Sequence, residues 1–267
     1  MLIQRIVSSV VVIALVIAAV FFRWVSIVVV LAITSLGLYE FFTMLERKGI
    51  SIYKYFGIAM GSMIPLSIMF RFELTRKWEL LFFVAALLAL TMMQLKRRQS
   101  SGAVVGISTT LFGILYVAWL FSFLVRVRLM ENGMGLFAAV LVITKLGDVG
   151  AYLIGARFGK RPLMPRISPR KTVEGAVGGL MFSVLGAMIF TAILPLTIWH
   201  AMFIGAVLGI VGQLGDLSES LIKRDCQVKD SGHLIPGMGG VLDLIDSLLF
   251  TAPVFYFYLN IVLKYAE

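Results

Sequence analysis

The sequence predicts an all-α, polytopic integral membrane protein with about nine transmembrane helices, and three observations carry that expectation. Of its 267 residues, 60% are hydrophobic, glycine not counted, and 14% are charged. Ordinary soluble domains hold ~45–50% apolar residues with glycine included, and ~25% charged ones. The mean hydropathy of +0.98 leaves too little polar surface to coat a body facing water. Finally, apolar runs of the ~20 residues that a bilayer crossing requires follow one another along the chain.

The runs fall at 4–22, 24–45, 51–70, 78–95, 103–125, 134–156, 173–194, 198–222 and 245–264. The first is Val-rich and continues with no small-residue cleavage pattern, so it reads as a helix and not as a signal peptide. Up to about residue 130, charged positions keep to the ends of the runs. Ionisable residues then enter the later runs: Lys145 and Asp148 in the sixth, Asp216 and Glu219 in the eighth. Glycine thickens there too, in Gly175, Gly178 and Gly179 and in Gly205, Gly209, Gly212 and Gly215. Small residues at such spacing let helices pack closely in lipid, and they could also support a homodimer. The contrast divides the chain into scaffold helices (1–130) and a region that carries the chemistry (131–267). No repeat of fixed period is visible, which counts against an inverted-repeat transporter.

The formal net charge is +10, but the basic residues fall in short bursts between apolar runs. That is the habit of cytoplasmic loops, not of a nucleic-acid-binding surface. With nine spans the termini lie on opposite sides. One side collects Arg5; Arg47, Lys48 and Lys54; Lys96, Arg97 and Arg98; six basic residues between Arg157 and Lys171; and Lys223, Arg224 and Lys229. That is more than twice the number on the other side, so the N-terminus and the loops at 157–172 and 223–244 are expected in the cytoplasm of a prokaryote, beneath its inner membrane. The single cysteine, Cys226, allows no internal disulfide, and His200 and His233 are too few for a histidine zinc site.

An ionisable group at membrane depth is costly and is a functional candidate by default. Lys145 and Asp148 are three apart on one helical face and could simply neutralise each other. Asp216, Glu219 and Lys223 share a face as well, with Lys223 toward the cytoplasmic end. The richest segment runs from Ser220 to Asp246. Its first half alternates Lys223, Arg224 and Lys229 with Asp225 and Asp230; its second passes from Pro236 through Gly237, Gly239 and Gly240 to Asp243 and Asp246. Glycines let backbone amides approach an anion, a helix N-terminus adds positive potential, and lysines neutralise phosphate oxygens. Carboxylates at i and i+3 can hold a hard divalent cation and leave positions open to substrate oxygens. A solvated connector of mixed charge is the plain alternative.

The pattern Ser-x-Ile-Lys-Arg-x4-Lys-Asp-x-Gly-x2-Ile-Pro-x-Met-Gly-Gly-Val-x-Asp-Leu-Ile-Asp, from Ser220 to Asp246, resembles the signature of phosphatidate cytidylyltransferases (CDP-diacylglycerol synthases). A second block is similar to that family's other stretch: Asp148-Val-Gly-Ala-Tyr152, Phe158-Gly-Lys160 and Ser168-Pro-Arg-Lys-Thr-Val-Glu-Gly175. The likeness covers 148–179 and 212–247. Two positions depart from it, Met238 where the family usually has histidine and Leu244 where it usually has arginine.

The resemblance implies transfer of the cytidylyl group of CTP to phosphatidic acid, with Mg²⁺ as cofactor, beside the bilayer. It implies Asp243 and Asp246 as first metal ligands, then Asp216 and Asp148. Lys223, Arg224, Lys229 and Lys171 would contact the triphosphate or the lipid phosphate, with Asp230 also at the catalytic centre. Ser168, Thr172, Lys160, Gly239 and Gly240 would bind substrate, while Glu174 and Glu219 order the lysines. His233 reads as a loop histidine, His200 as interfacial and Cys226 as a reduced bystander. Two competing expectations are a cation transporter or channel built on Asp148, Asp216 and Glu219, and a CTP-using enzyme acting on another lipid phosphate.

Overall fold

Each apolar run is helical in the computed structural model, which describes residues 2–70, 76–97, 101–192, 197–237 and 239–264. The helices are α1 (Leu2–Phe21), α2 (Arg23–Arg47), α3 (Lys54–Met69), α4 (Arg76–Lys96), α5 (Ala103–Leu129), α6 (Gly133–Phe158), α7 (Val173–Ile189), α8 (Ile198–Asp225) and α9 (Val241–Lys264). The far end of the expected seventh run, at 193–194, lies outside the described residues, as does Met238.

Among the described residues, six helices are long and apolar enough to cross a membrane: α1, α2, α5, α6, α8 and α9. The expected count of about nine crossings is not confirmed by this criterion. α3 has 16 residues and encloses Pro65, and α7 has 17. At 1.5 Å per residue each spans roughly 25 Å, short of a hydrocarbon core of ~30 Å. α4 has 21 residues, of which Leu81–Lys96 form an apolar stretch.

One element escapes the all-α expectation. Within the loop between α6 and α7, β1 (Pro162–Met164) pairs antiparallel with β2 (Ser168–Thr172). An isolated hairpin is marginal, and this one is fastened at its base. Glu174 Oε2 accepts from the backbone N–H groups of Lys160 (3.0 Å) and Arg161 (3.1 Å). The Thr172 hydroxyl caps α7 by accepting from Gly175 N at 3.1 Å.

The fully buried core is aromatic and aliphatic, with Phe41, Phe42 and Leu38 of α2, Phe121 and Leu124 of α5, and Phe255 of α9. α5 widens to π-type winding over Ile114–Trp119. The later helices approach through their glycines. A Cβ on Gly205 would stand 2.8 Å from Val184 Cα of α7, and one on Gly215 would stand 2.5 Å from the Asp246 carbonyl oxygen. The second approach sets α8 against the first turns of α9, where the acidic residues gather.

Candidate active site

α9 begins at Val241, four residues before the expected run, and its start is an organised capping structure. Asp243 lies in the first turn and reaches back: its Oδ2 accepts from Gly240 N (2.8 Å), Ser231 N (3.0 Å) and Ser231 Oγ (2.9 Å). This is the returning half of a capping box. The other half comes from far away in sequence. Glu40 Oε2, on α2, accepts from Leu242 N at 2.9 Å and from Ser231 Oγ at 3.2 Å, satisfying an amide of the first turn. Gly240 has no room for a side chain, since a Cβ would stand 2.0 Å from Ser231 Oγ.

Lys223 closes this cluster. Its Nζ lies 2.7 Å from Glu219 Oε2 and 2.6 Å from Asp243 Oδ1. Glu219 is fully buried. Asp243 is therefore engaged by one lysine, two amides and a hydroxyl.

Asp246 belongs to a second cluster. Only 7% exposed, it lies in the electrostatic field of Asp216, Asp148 and Lys145. Its Oδ1 accepts from Ser247 N at 2.6 Å and Ser247 Oγ at 3.1 Å. The same hydroxyl lies 2.9 Å from Asp148 Oδ1, and Asp148 Oδ2 pairs with Lys145 at 2.8 Å. The expected i, i+3 pair thus divides, with Asp243 serving the cap and Asp246 the carboxylate group.

Beside that group opens a cavity of about 500 Å³ between β2, α6, α7 and α8. Its walls include Asp148, Ser168, Lys171, Thr172, Gln213 and Asp216. Lys171 Nζ lies 2.7 Å from Asp216 Oδ1, yet this buried nitrogen makes no hydrogen bond of good geometry. An ammonium in contact with its counter-ion but with its N–H groups unspent is a receptor for anionic oxygen. Tyr152, Leu163 and Leu217 supply apolar wall.

The remaining expected residues lie elsewhere. Lys229, Asp230 and Gly239, with His233, line a separate cavity of about 430 Å³ that also includes Arg5. Arg224 acts as a strap: its Nε donates to Ile167 O of the hairpin (3.2 Å) and Nη1 to Val228 O (3.3 Å). Lys160 is exposed at the foot of the hairpin. His200 Nδ1 meets the Tyr258 hydroxyl at 2.7 Å. Cys226 is buried, and that burial pushes its thiol above the ordinary value.

Glu40 and Ser247 were not anticipated, nor was Tyr116, a buried hydroxyl on the π-type segment in the field of Glu219, Asp246 and Asp216. Glu40 could have been found, being an acid in an otherwise apolar run. It reads as an end-of-run charge but is 2% exposed. Among the described residues, no three His, Cys, Asp or Glu side chains form a ready-made metal cage. Mg²⁺ does not need one, because it is commonly held by one or two carboxylates together with substrate phosphates. Asp246, Asp216 and Asp148 fit that requirement in charge and in oxygen chemistry.

Apolar helices that hold paired acids and lysines beside a cavity make a candidate site for anionic substrates. The chain belongs to the cytidylyltransferase family, whose pattern it matches over residues 3–262. It is 35% identical over 238 residues to the phosphatidate cytidylyltransferase of Bacillus subtilis, covering 87% of each chain. To the phosphatidate cytidylyltransferase of a Synechocystis species it is 35% identical over 290 residues, covering 97% of each. That of Staphylococcus haemolyticus is 41% identical over 155 residues, 57% of each chain.

Proposed function

We propose that the protein transfers the cytidylyl group of CTP to phosphatidic acid, giving CDP-diacylglycerol and pyrophosphate. The observation that carries this reading is the cavity in which Lys171, Asp216 and Asp148 meet Ser168 and Thr172 at the ends of apolar helices. An oxygen of the lipid phosphate bonds to the α-phosphorus of CTP, the α–β bridging bond breaks, and pyrophosphate leaves with the electron pair. The attacking phosphate is already ionised at neutral pH, so no general base is required. Lys171 supplies positive charge to oxygens that become more negative as the bond breaks. The Ser168 and Thr172 hydroxyls orient those oxygens, and Arg224 holds the hairpin in place. Asp246, Asp216 and Asp148 would hold Mg²⁺, which supplies charge neutralisation of the phosphates when bound.

The basic loops support a cytoplasmic orientation of the site, where CTP is found. The bacterial relatives support placement in a bacterial inner membrane. A homodimer, expected from the glycine-rich helices, loses that support, because Gly205 and Gly215 are packed within one chain. A cation pathway is disfavoured because each acid it would use is paired with a lysine: Asp148 with Lys145, Asp216 with Lys171 and Glu219 with Lys223. The deciding experiment combines purified protein, labelled CTP, Mg²⁺ and phosphatidic acid in detergent. CDP-lipid and pyrophosphate should appear in equal amounts. Cation flux in liposomes with no CDP-lipid would overturn the reading.

A further inference from the structure

Gln213 is the one amide side chain among the described residues that line the cavity beside Asp216. It stands on α8 three residues before Asp216, and such neighbours share a helix face, so it looks into the same space as the Lys171–Asp216 pair. Its Nε2 donates to the Ala176 carbonyl oxygen at 3.0 Å. That oxygen lies near the start of α7, which runs on to Ile189, so it already serves the helix's own ladder. The extra bond therefore adds little to α7. What it fixes is the amide: a carbonyl oxygen only accepts, so the nitrogen faces Ala176 and Oε1 is turned the other way. A Cβ on Gly179 would stand 3.2 Å from Gln213 Nε2, so a glycine of α7 leaves room for this orientation. Among the described residues Oε1 accepts no hydrogen bond, and it is not sealed off as a buried atom. The cavity wall thus holds a neutral acceptor of set direction.

The chemistry of the two substrates decides what such an acceptor can meet. Fully ionised phosphatidic acid offers acceptors alone, in its phosphate and ester oxygens. CTP carries donors: the exocyclic amine of cytosine, which needs an acceptor, and the ribose hydroxyls, which donate and accept and are served as well by Ser168. We propose, resting on the cytidylyl-transfer reading, that Gln213 determines the choice of base, its Oε1 accepting from the exocyclic amine of cytosine. Uracil presents a carbonyl oxygen at that place, so acceptor would face acceptor. Asp216 and Asp148 do not replace it, being engaged by Lys171 and Lys145. The phosphates then lie against Lys171 and Ser168 of the hairpin, and the base lies against the seam of α7 and α8.

The test uses the full chain in detergent with phosphatidic acid, Mg²⁺ and equal amounts of CTP and UTP, and reads the ratio of CDP-lipid to UDP-lipid by mass spectrometry. The parent protein should favour CTP. Gln213→Met keeps the length of the side chain without its acceptor, and should lower that preference roughly 5- to 150-fold through the kcat/KM for CTP. Gln213→Glu retains an acceptor oxygen and should retain the preference even where its added charge slows turnover. A pyrimidin-2-one ribonucleoside triphosphate, which lacks the amine, gives a readout that needs no variant: in the parent its kcat/KM should fall below that of CTP by a similar factor. If Gln213→Met slows CTP and UTP alike, so that the ratio stands, Gln213 only ties α8 to α7 and the proposal is overturned. A change in the preference for CTP over deoxy-CTP, with the CTP to UTP ratio unmoved, would give Oε1 to the ribose and overturn it as well. Equal turnover of CTP and the pyrimidin-2-one nucleotide by the parent has the same consequence. If the parent forms no CDP-lipid from CTP, the transfer reading itself fails and this proposal falls with it, whereas CDP-lipid with an unmoved ratio defeats the base assignment alone.

Discussion

Glu40→Ala isolates what an acid from the second helix contributes to a motif some 200 residues away. The change removes the acceptor for Leu242 N and one of two acceptors for Ser231 Oγ. Ser231 keeps its bond to Asp243 Oδ2 at 2.9 Å, so the hydroxyl loses little. The Leu242 amide is different, because it sits in the first turn of α9 beside a fully buried side chain. Leaving it unsatisfied costs about 1–3 kcal/mol. Glu40 Oε1 has no partner of its own, so removing it returns part of that cost. The expected net destabilisation is therefore about 1–2 kcal/mol, read as a lower melting midpoint in detergent. Because the loop also carries Asp243 against Lys223, the apparent KM for CTP should rise or kcat fall. Glu40→Gln retains an acceptor oxygen and should recover most of both. If Glu40→Ala melts and turns over like the parent, the cap does not depend on Glu40 and the reasoning is refuted.

Other expectations follow from the same geometry. Lys171→Met should lower kcat/KM roughly 10- to 150-fold, the equivalent of ~1.5–3 kcal/mol for a charge-assisted phosphate contact; unchanged kinetics would remove Lys171 from the site. Asp246→Asn keeps an acceptor for Ser247 but removes a charge, so turnover should collapse while the melting midpoint holds. Near-normal activity at low Mg²⁺ would relocate the metal. For Cys226, burial raises the thiol pKa, so the thiolate fraction at pH 7 is small. Maleimide labelling of the folded protein should therefore be slow at pH 7 and still be rising above the ordinary thiol value of ~8.5. A plateau at or below that value would contradict the burial.

What the sequence made legible, and what it did not, follows the range of the interactions. The helices are visible because each apolar run is a local property. The pairs Lys145–Asp148 and Glu219–Lys223 are visible because i, i+3 and i, i+4 neighbours meet on one helix face. The Lys171–Asp216 pair joins a strand to a helix, and spacing within a segment carries no trace of it. The division of Asp243 from Asp246 was not legible for a related reason: a helix start at Val241 makes Asp243 the capping residue, and an amide of that first turn donates to Glu40 on a distant helix. The hairpin was missed because its strands hold three and five residues and are fastened by backbone bonds to Glu174. Hydropathy marks a helix without fixing whether it reaches both faces of a membrane.

The pairing of acids with lysines also bears on why phosphate and divalent cation would be needed together. A lone carboxylate at membrane depth is costly, and here Asp216 is offset by Lys171 and Asp148 by Lys145. When Lys171 turns to a phosphate, as the proposed reaction requires, Asp216 is left without its counter-ion next to Asp148 and Asp246. An anionic substrate arriving alone therefore exchanges one ion pair for another and leaves the half-buried Asp216 carboxylate uncompensated. A divalent cation arriving alone would meet carboxylates already occupied by lysines. Only the two together neutralise the lysines and the carboxylates at once. Under the proposed reaction the paired arrangement would discriminate against half-loaded states, with Lys171 reaching Asp216 from the hairpin.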